Sequence, residues 1–398
     1  MNLNQELHGD RLWGKSFISL TVCSFLLFLN LQMLLSSFPA YVKNEFHAGD
    51  LQVSLVTSVF ALSAILTRFL TAAMLKRWSR NALLFAGLII AAVTTGIYVW
   101  AGSVESLLLM RAGYGVGFGM ASTILPTLVS QIIPLRRMGE GIGYFGLSTS
   151  LAMSIGPMVG LNVMKQAGFG TLSAAGTVTV ALILPILLLT RSIPPAPQIS
   201  SPGGEAGERK PAKFNTELLL PALLNVTLSI TYSGLLSFIA LYGDFRHLAQ
   251  VGLFFLFNAV TIIVIRPVSG RVFDRRGPAA VLIPAAILVV ASMTVLSYAG
   301  SMPLLILSAL LYGLGFGAIQ PTIQAWMLRS SAPEQYGTAN SMFYNSTDFG
   351  VAIGALILGA IASATDYAVM YRYSAGFMVL FLVMFLAFML VTRSKKSA

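Results

Sequence analysis

Residues 114–119 read Tyr-Gly-Val-Gly-Phe-Gly, and residues 312–317 read Tyr-Gly-Leu-Gly-Phe-Gly. The two stretches lie 198 positions apart, and the same offset aligns Arg68 with Arg266 and Gly156 with Gly354. One offset that holds from residue 68 to residue 156 is not expected from chance matches between apolar, glycine-rich segments. The chain is therefore predicted to consist of two structurally related halves.

The composition predicts a membrane protein. Of the 398 residues, 56% are hydrophobic and only 10% are charged, which is too little charge to cover the surface of soluble domains. Apolar runs of roughly 18–24 residues recur along the chain, and each is long enough to cross a bilayer as a helix. Twelve membrane helices are predicted, near 16–38, 51–75, 81–101, 106–130, 140–164, 170–190, 217–240, 249–272, 279–299, 303–328, 339–362 and 372–392.

The net charge of +11 would suggest a nucleic-acid partner in a soluble protein, but its distribution here indicates membrane topology. Most of the 25 lysines and arginines fall in loops on one side of the predicted helices, as the positive-inside rule requires of cytoplasmic loops. We therefore expect a multi-pass inner-membrane protein with both termini in the cytoplasm. Its expected surroundings are membrane lipids, with no nucleic acid, and we expect it to be a monomer.

The fold class that follows is an all-α membrane protein with twelve helices in two pseudo-symmetric six-helix bundles. Residues 1–190 form the first bundle and residues 217–398 the second. Between them, residues 191–216 are rich in proline, glycine and mixed charges, a composition that cannot bury enough apolar surface to fold. This segment is predicted to be a flexible cytoplasmic linker. Parallel repeats joined in this way place a substrate site between the bundles, near the middle of the membrane.

Signatures of soluble catalysis are missing from the sequence. The single cysteine, Cys23, lies in an apolar run, and His8, His47 and His247 are scattered over predicted loops, so no metal site and no cofactor are expected. No phosphate-binding loop is present, which argues against direct use of ATP. An enzyme would need clustered reactive side chains, a sensor an output domain, and a channel a repeated filter loop; none of these is visible.

The segment after the eighth predicted helix resembles the helix–loop signature of the major facilitator superfamily, and the resemblance extends over essentially the whole chain. It implies a breakable cytoplasmic latch, whose candidate residues are Arg266, Gly270, Asp274, Arg275, Arg276 and Gly277. Glycine permits close approach of helices, and Asp274 can pair with a cation or with the N-terminus of a neighbouring helix. The alternative is simple anchoring of a basic loop. The copy in the first half has Lys76 in the place of Asp274, so an ionic latch is not expected there.

Two further stretches resemble signatures of proton-coupled members of that family. Arg111, inside the fourth predicted helix, stands at an arginine that the resemblance connects with proton coupling; the alternative is that it braces backbone carbonyls of the first helix. Gly156, Pro157 and Gly160 resemble the Gly-Pro signature of drug–proton antiporters. Proline permits a bend in this helix, and the glycines permit close packing.

Asp348 is the only acidic residue that the sequence places deep in a predicted helix, and the equivalent position in the first half is Ser150. An acid inside a membrane protein is costly and therefore marks a candidate site for a proton or for a cationic group of a substrate. The alternative is a hydrogen-bonding centre with Asn345 and Thr347.

Polar and aromatic residues of the predicted inner helices are candidates for lining a mostly neutral cavity. They are Asn30, Gln32, Tyr114, Asn225, Tyr232, Asn258, Gln320, Gln324, Tyr344 and Asn345. The leading hypothesis is a secondary transporter that works by alternating access, with proton entry driving efflux of a small amphipathic molecule. The alternative is a dedicated exporter of an endogenous metabolite, such as a metallophore or an amino-acid derivative, whose zwitterion Arg111 and Asp348 would hold.

Overall fold

The computed structural model describes residues 12–48, 50–75, 77–195, 215–248 and 250–397, and these ranges contain helices but no strand. The twelve α-helices are α1 (Lys15–Glu45), α2 (Asp50–Met74), α3 (Arg80–Ile97), α4 (Val104–Ile132), α5 (Met138–Ala181), α6 (Ile183–Thr190), α7 (Leu219–Phe245), α8 (Leu253–Arg276), α9 (Ala279–Ser297), α10 (Met302–Arg329), α11 (Tyr336–Ala364) and α12 (Tyr367–Ser397).

The described helices account for the twelve predicted membrane spans. Eleven helical segments are long and apolar enough to cross a membrane, and α2 contributes the shorter apolar segment Ser58–Met74. α5 contains the fifth span and the beginning of the sixth, because the backbone leaves helical geometry at Gly168 (φ 78°, ψ 172°). A positive φ of this kind costs glycine little and other residues much. The remainder of the sixth span is α6, and the predicted fold class is confirmed.

The two halves pack in the same way. In the first half α1 packs on α5, α2 on α4, and α3 on α4; in the second half α7 packs on α11, α8 on α10, and α9 on α10. Each pair therefore recurs six helices later, as a parallel duplication requires. The predicted linker over 191–216 lies mostly outside the described residues, because 196–214 are not among them.

The bundles meet through α5 with α8 and through α2 with α11, and these two pairings are equivalent under the repeat. Both occur toward the end of the molecule at which α2, α4, α8 and α10 terminate. We call this end the basic face, because it carries Arg77, Arg136, Arg271, Arg276 and Arg329. The contacts that join the bundles therefore reach from the basic face toward the middle of the helices.

Within the first bundle, close packing depends on residues without side chains. A Cβ atom on Gly117 of α4 would lie 2.5 Å from the backbone nitrogen of Ala91 and 2.7 Å from the carbonyl oxygen of Gly87, both on α3. Small residues allow this approach, which provides van der Waals contact where lipid gives no hydrophobic driving force.

We expect Gly117→Ala to lower the thermal unfolding midpoint of the detergent-purified protein, because the added methyl group must separate α3 from α4 at a cost of about 1–3 kcal/mol. Gly376→Ala is the matched control, since a Cβ at Gly376 of α12 meets nothing within 4 Å. An equal midpoint for both variants would contradict this view of the helix contact.

Candidate functional site

At the basic face, Asp274 connects the second bundle to the first. Its two carboxylate oxygens accept hydrogen bonds from the backbone N–H groups of Gly139 (2.8 Å) and Glu140 (2.9 Å), in the first turn of α5. A carboxylate there satisfies free N–H donors and opposes the positive end of the helix dipole. Arg329 of α10 lies 3.2 Å from the same carboxylate. The cap therefore joins α8 and α10 to α5.

A second set of charges reinforces this junction. Glu140 of α5 pairs with Arg271 of α8 at 2.9 Å and with its own neighbour Arg137 at 2.8 Å. The helices also touch through their backbones, because a Cβ on Gly270 would lie 2.3 Å from the carbonyl oxygen of Gly139. The bundles are thus in direct contact at the basic face.

Deeper in the molecule, Arg68 of α2 forms an ion pair with Asp348 of α11. The arginine side chain is 3% exposed and the aspartate side chain 36% exposed. The same guanidinium donates to the Asn345 side-chain oxygen at 3.4 Å and, through Nε, to the Ser122 hydroxyl at 3.1 Å. Asp348 is therefore part of a charge pair that crosses between the bundles.

Two aromatic rings lie beside the Arg68 guanidinium. Its Cζ atom is 5.8 Å from the ring centre of Phe118 and 5.7 Å from that of Tyr344. Ring faces of this kind stabilise a cation where water is scarce. Since Phe118 belongs to α4 and Tyr344 to α11, the rings also come from opposite bundles.

Arg266 of α8 holds the position equivalent to Arg68 but has different partners. It is 2% exposed, donates to the Gln320 side-chain oxygen at 2.8 Å, and forms no ion pair among the described residues. The Tyr344 side chain of α11 lies near both Arg266 and Arg68. We call the following residues the central cluster: Arg68, Arg266, Gln320, Tyr344, Asn345 and Asp348. The cluster contains two guanidinium groups and one carboxylate.

Several predicted cavity residues instead hold a bundle together. Asn30 of α1 is fully buried, donates to the carbonyl of Gly176 at 2.8 Å, and accepts from the Tyr114 hydroxyl at 2.6 Å. Asn225 of α7 is fully buried and donates to the Phe343 carbonyl of α11 at 3.0 Å. In the described state these side chains serve helix packing.

The other cavity candidates also contact neighbouring residues of the protein. Gln324 donates to the Asn340 side chain at 2.9 Å, and Gln32 lies against Gly156. Tyr232 stacks on the Phe316 ring with centroids 4.9 Å apart. Asn258 is 7% exposed, and its carbonyl oxygen lies against Gly313 of α10.

Arg111 lies inside the first bundle and contacts neither Asp348 nor the second bundle through any interaction of the described residues. Its guanidinium sits between the rings of Phe38 and Phe60, at 4.5 and 4.6 Å from the ring centres. Its Nε donates to the carbonyl of Val56 at 3.1 Å. The backbone carbonyl that it braces thus belongs to α2, whereas the sequence suggested the first helix.

The remaining predicted residues are placed as follows. Gly156 and Gly160 let α5 lie against α1, since their Cβ atoms would approach Gln32 and Met33 to 2.5 and 2.2 Å. The helix continues through Pro157, and its interior departure from helical angles is at Gly168. In the predicted latch, Arg275 and Arg276 are exposed at the end of α8 and Gly277 caps it at φ 79°. The described residues contain no cluster of three or more potential metal ligands.

Arg68 is the site residue that sequence reasoning missed. The sequence contained two signals, an arginine inside an apolar run and its match with Arg266 at the common offset. Neither signal indicated that its partner lies 280 positions away in the other half.

Curated relatives share low identity over most of the chain. A staphylopine export protein of Staphylococcus aureus is 21% identical over 90% of this chain and 92% of its own length. A probable sugar efflux transporter of Helicobacter acinonychis is 25% identical over 81% of each chain. An uncharacterized transporter of Methanocaldococcus jannaschii is 20% identical, over 83% of this chain and 87% of the relative.

Solved structures of low identity share the fold. The human organic anion transporter MFSD10 superimposes with a TM-score of 0.74 at 17% identity, over 93% of this chain and 98% of that one. The transporter FucP in the outward conformation gives 0.74 at 16% identity, over 94% and 98%. The Major Facilitator Superfamily model matches residues 20–348 and 249–398. The chain belongs to the major facilitator superfamily, and it is a multi-pass membrane transporter, not an enzyme.

Proposed function

We propose that the protein exports a small amphipathic molecule from the cytoplasm in exchange for protons, by alternating access. The basic face is then the cytoplasmic side of the inner membrane, and both termini lie there. The observation that carries the proposal is the Arg68–Asp348 ion pair between α2 and α11. If a titratable group joins the two moving halves, binding of a proton to that group can be coupled to separation of the halves.

The charge of Asp348 controls this link. While the carboxylate is ionised, it holds Arg68 and keeps the two halves together on the cytoplasmic side. A proton on Asp348 removes the Coulomb attraction and leaves only a neutral hydrogen bond. Because Asp348 is 36% exposed, the loss lies between the ~1 kcal/mol of an exposed pair and the ~3–5 kcal/mol of a buried one. A loss of about 1–5 kcal/mol changes the ratio of two conformations by roughly fivefold to several thousandfold.

The order of events sets the direction of transport. Asp348 takes up a proton in the state closed to the cytoplasm, and the neutral acid lets the cytoplasmic ends part. Substrate then enters from the cytoplasm, and the proton leaves to that side. The re-formed ion pair closes the cytoplasmic end and commits the substrate to release outside. The Asp274 cap on α5 breaks and re-forms in the same cycle, as the latch predicted from the sequence.

In this scheme Arg111 has an indirect part. Its charge lies against the rings of Phe38 and Phe60 and the carbonyl of Val56, so it fixes α2, the helix that carries Arg68. A monomer surrounded by membrane lipids is sufficient for this mechanism, because both residues of the ion pair belong to one chain.

The second candidate is a dedicated exporter of an endogenous metabolite, such as a metallophore or an amino-acid derivative. Two observations favour it. The central cluster has two guanidinium groups against one carboxylate, which suits a substrate with an acidic group. A relative that matches 90% of this chain is named as a staphylopine export protein.

The test uses the purified protein in liposomes that contain a pH-sensitive dye. A panel of cationic dyes, amino-acid derivatives and metallophores is added with and without an imposed pH gradient. We expect Asp348→Asn to reduce gradient-driven transport of any active compound at least tenfold, because the amide cannot carry a proton. Exchange of labelled for unlabelled compound, which needs no net proton movement, should persist.

Asp366→Asn is the matched control, since the Asp366 side chain caps α12 at Val369 (2.7 Å) outside the central cluster. Proton movement that accompanies transport equally in the parent and in Asp348→Asn would remove Asp348 from the coupling mechanism.

A further inference from the structure

Arg266 differs from its repeat partner in the charge that it faces. On α11, Arg68 faces Tyr344 and Asp348. At the common offset, the matching residues of α5 are Gly146 and Ser150. Gly146 lies against the Arg266 guanidinium, and a Cβ there would come within 2.0 Å of Nη1. The second arginine is thus placed like the first but meets no acid at the equivalent site.

The Arg266 side chain is incompletely paired within the protein. One Nη group donates to the neutral amide of Gln320, while Nε is buried and has no hydrogen-bond partner. No carboxylate among the described residues pairs with it. An isolated buried cation is costly, and a neutral residue would serve packing alone at lower cost. A guanidinium binds a carboxylate through two parallel N–H donors, and the free Nε–H of Arg266 can supply one of them.

Arg266 also lies at the contact that opens and closes. Besides Gly146, α5 brings Gly143 against the Arg266 carbonyl, where a Cβ would lie 2.7 Å from the oxygen. When α5 moves away from α8, the guanidinium loses this cover and faces the open side. When the helices close again, Gly146 returns to the space beside Nη1.

We propose that Arg266 binds a carboxylate group of the transported molecule, so that the substrate class is organic acids, amino-acid-like zwitterions included. The carboxylate binds while α5 is apart from α8, and the return of Gly146 against the guanidinium displaces it. This inference rests on the proposed function for the separation of α5 from α8 and for identifying the bound molecule as the one transported.

The test measures binding to the purified protein in detergent, without any gradient. Three pairs of probes differ at one carboxyl group: benzoate and benzamide, N-acetylphenylalanine and its amide, and rhodamine 19 and its ethyl ester rhodamine 6G. Thermal stabilisation as a function of concentration gives each apparent affinity. We expect at least one acid to bind about tenfold more tightly than its neutral or esterified partner, as a charge-assisted contact implies.

Three variants connect this preference to Arg266. Arg266→Gln should abolish the preference, and Arg266→Lys should retain part of it. Arg372→Gln is the charge-matched control, because Arg372 stacks on Tyr298 outside the central cluster, and it should behave as the parent. Gly143→Ala keeps the arginine and should increase acid affinity severalfold, because its methyl group would lie 2.7 Å from the backbone carbonyl oxygen of Arg266 and would prevent α5 from closing on α8.

The inference is overturned if no acid binds, if acids and their partners bind alike, or if Arg266→Gln retains the preference. Should Arg266→Gln fail to fold, an unchanged acid affinity in Gly143→Ala overturns it as well. Acid binding that depends on Arg266, together with transport that ignores a pH gradient, would leave this inference standing and remove the proposed proton coupling. Gradient-driven transport of cationic dyes without acid binding would support the proposed proton coupling and overturn this inference.

Discussion

A charge pair that crosses the interface between two halves of one chain is the interaction on which the proposed transport mechanism depends. Arg68 is almost fully buried, and without Asp348 its charge would face a medium of low dielectric constant at a cost of several kcal/mol. In the proposed mechanism the two residues belong to helices that separate when access changes sides. The same contact would then stabilise one conformation and make it sensitive to a single proton. The Asp274 carboxylate that caps α5 also joins the bundles at the basic face, but the N–H donors that it accepts from lie at the end of the helix, where water competes for the hydrogen bonds.

The duplication explains why the interface has two arginines. The positions at which the two halves differ determine which arginine has an acidic partner. Helix pairing repeats from one bundle to the other, so Arg68 and Arg266 reach equivalent places beside α11 and α5. Among the described residues, Arg68 pairs with an acid and Arg266 does not. Packing accounts for the features that both halves share, such as the repeated glycines of α4 and α10. Asp348 corresponds in the repeat to Ser150, and Tyr344 corresponds to Gly146, so the scaffold does not require either residue. These two differences give each arginine a different electrostatic environment.

The fold was largely predictable because the bilayer restricts the choice of structure. Long apolar runs had to be helices, and one offset identified the duplication. The turn between the fifth and sixth spans was predicted as well, since the backbone leaves helical geometry at Gly168, between the predicted bounds at residues 164 and 170. Site residues were only partly predictable. The sequence made Asp348 a candidate as an acid deep in a predicted helix, and the resemblance to the family signature made Asp274 a candidate partner for a helix N-terminus, where the structure places it. The pairing of Arg68 with Asp348 was not predicted, because contacts across 280 positions depend on how the bundles dock. Asn30 and Tyr114 looked like cavity residues, yet they satisfy each other inside the first bundle.

The most direct measurement exchanges the two charges and follows access from the basic face. In a Cys23→Ser background, Ser130→Cys places a thiol on α4 at a position that is 1% exposed and hydrogen-bonded to Asn340 of α11 at 3.3 Å. A membrane-impermeant thiol reagent then reports separation of the bundles on that side. Arg68→Asp alone should raise the labelling rate about tenfold or more, and adding Asp348→Arg should return it to within about threefold of the parent, because the pair is rebuilt in reverse. A double variant that labels as fast as Arg68→Asp alone would show that the ion pair does not hold the two halves together.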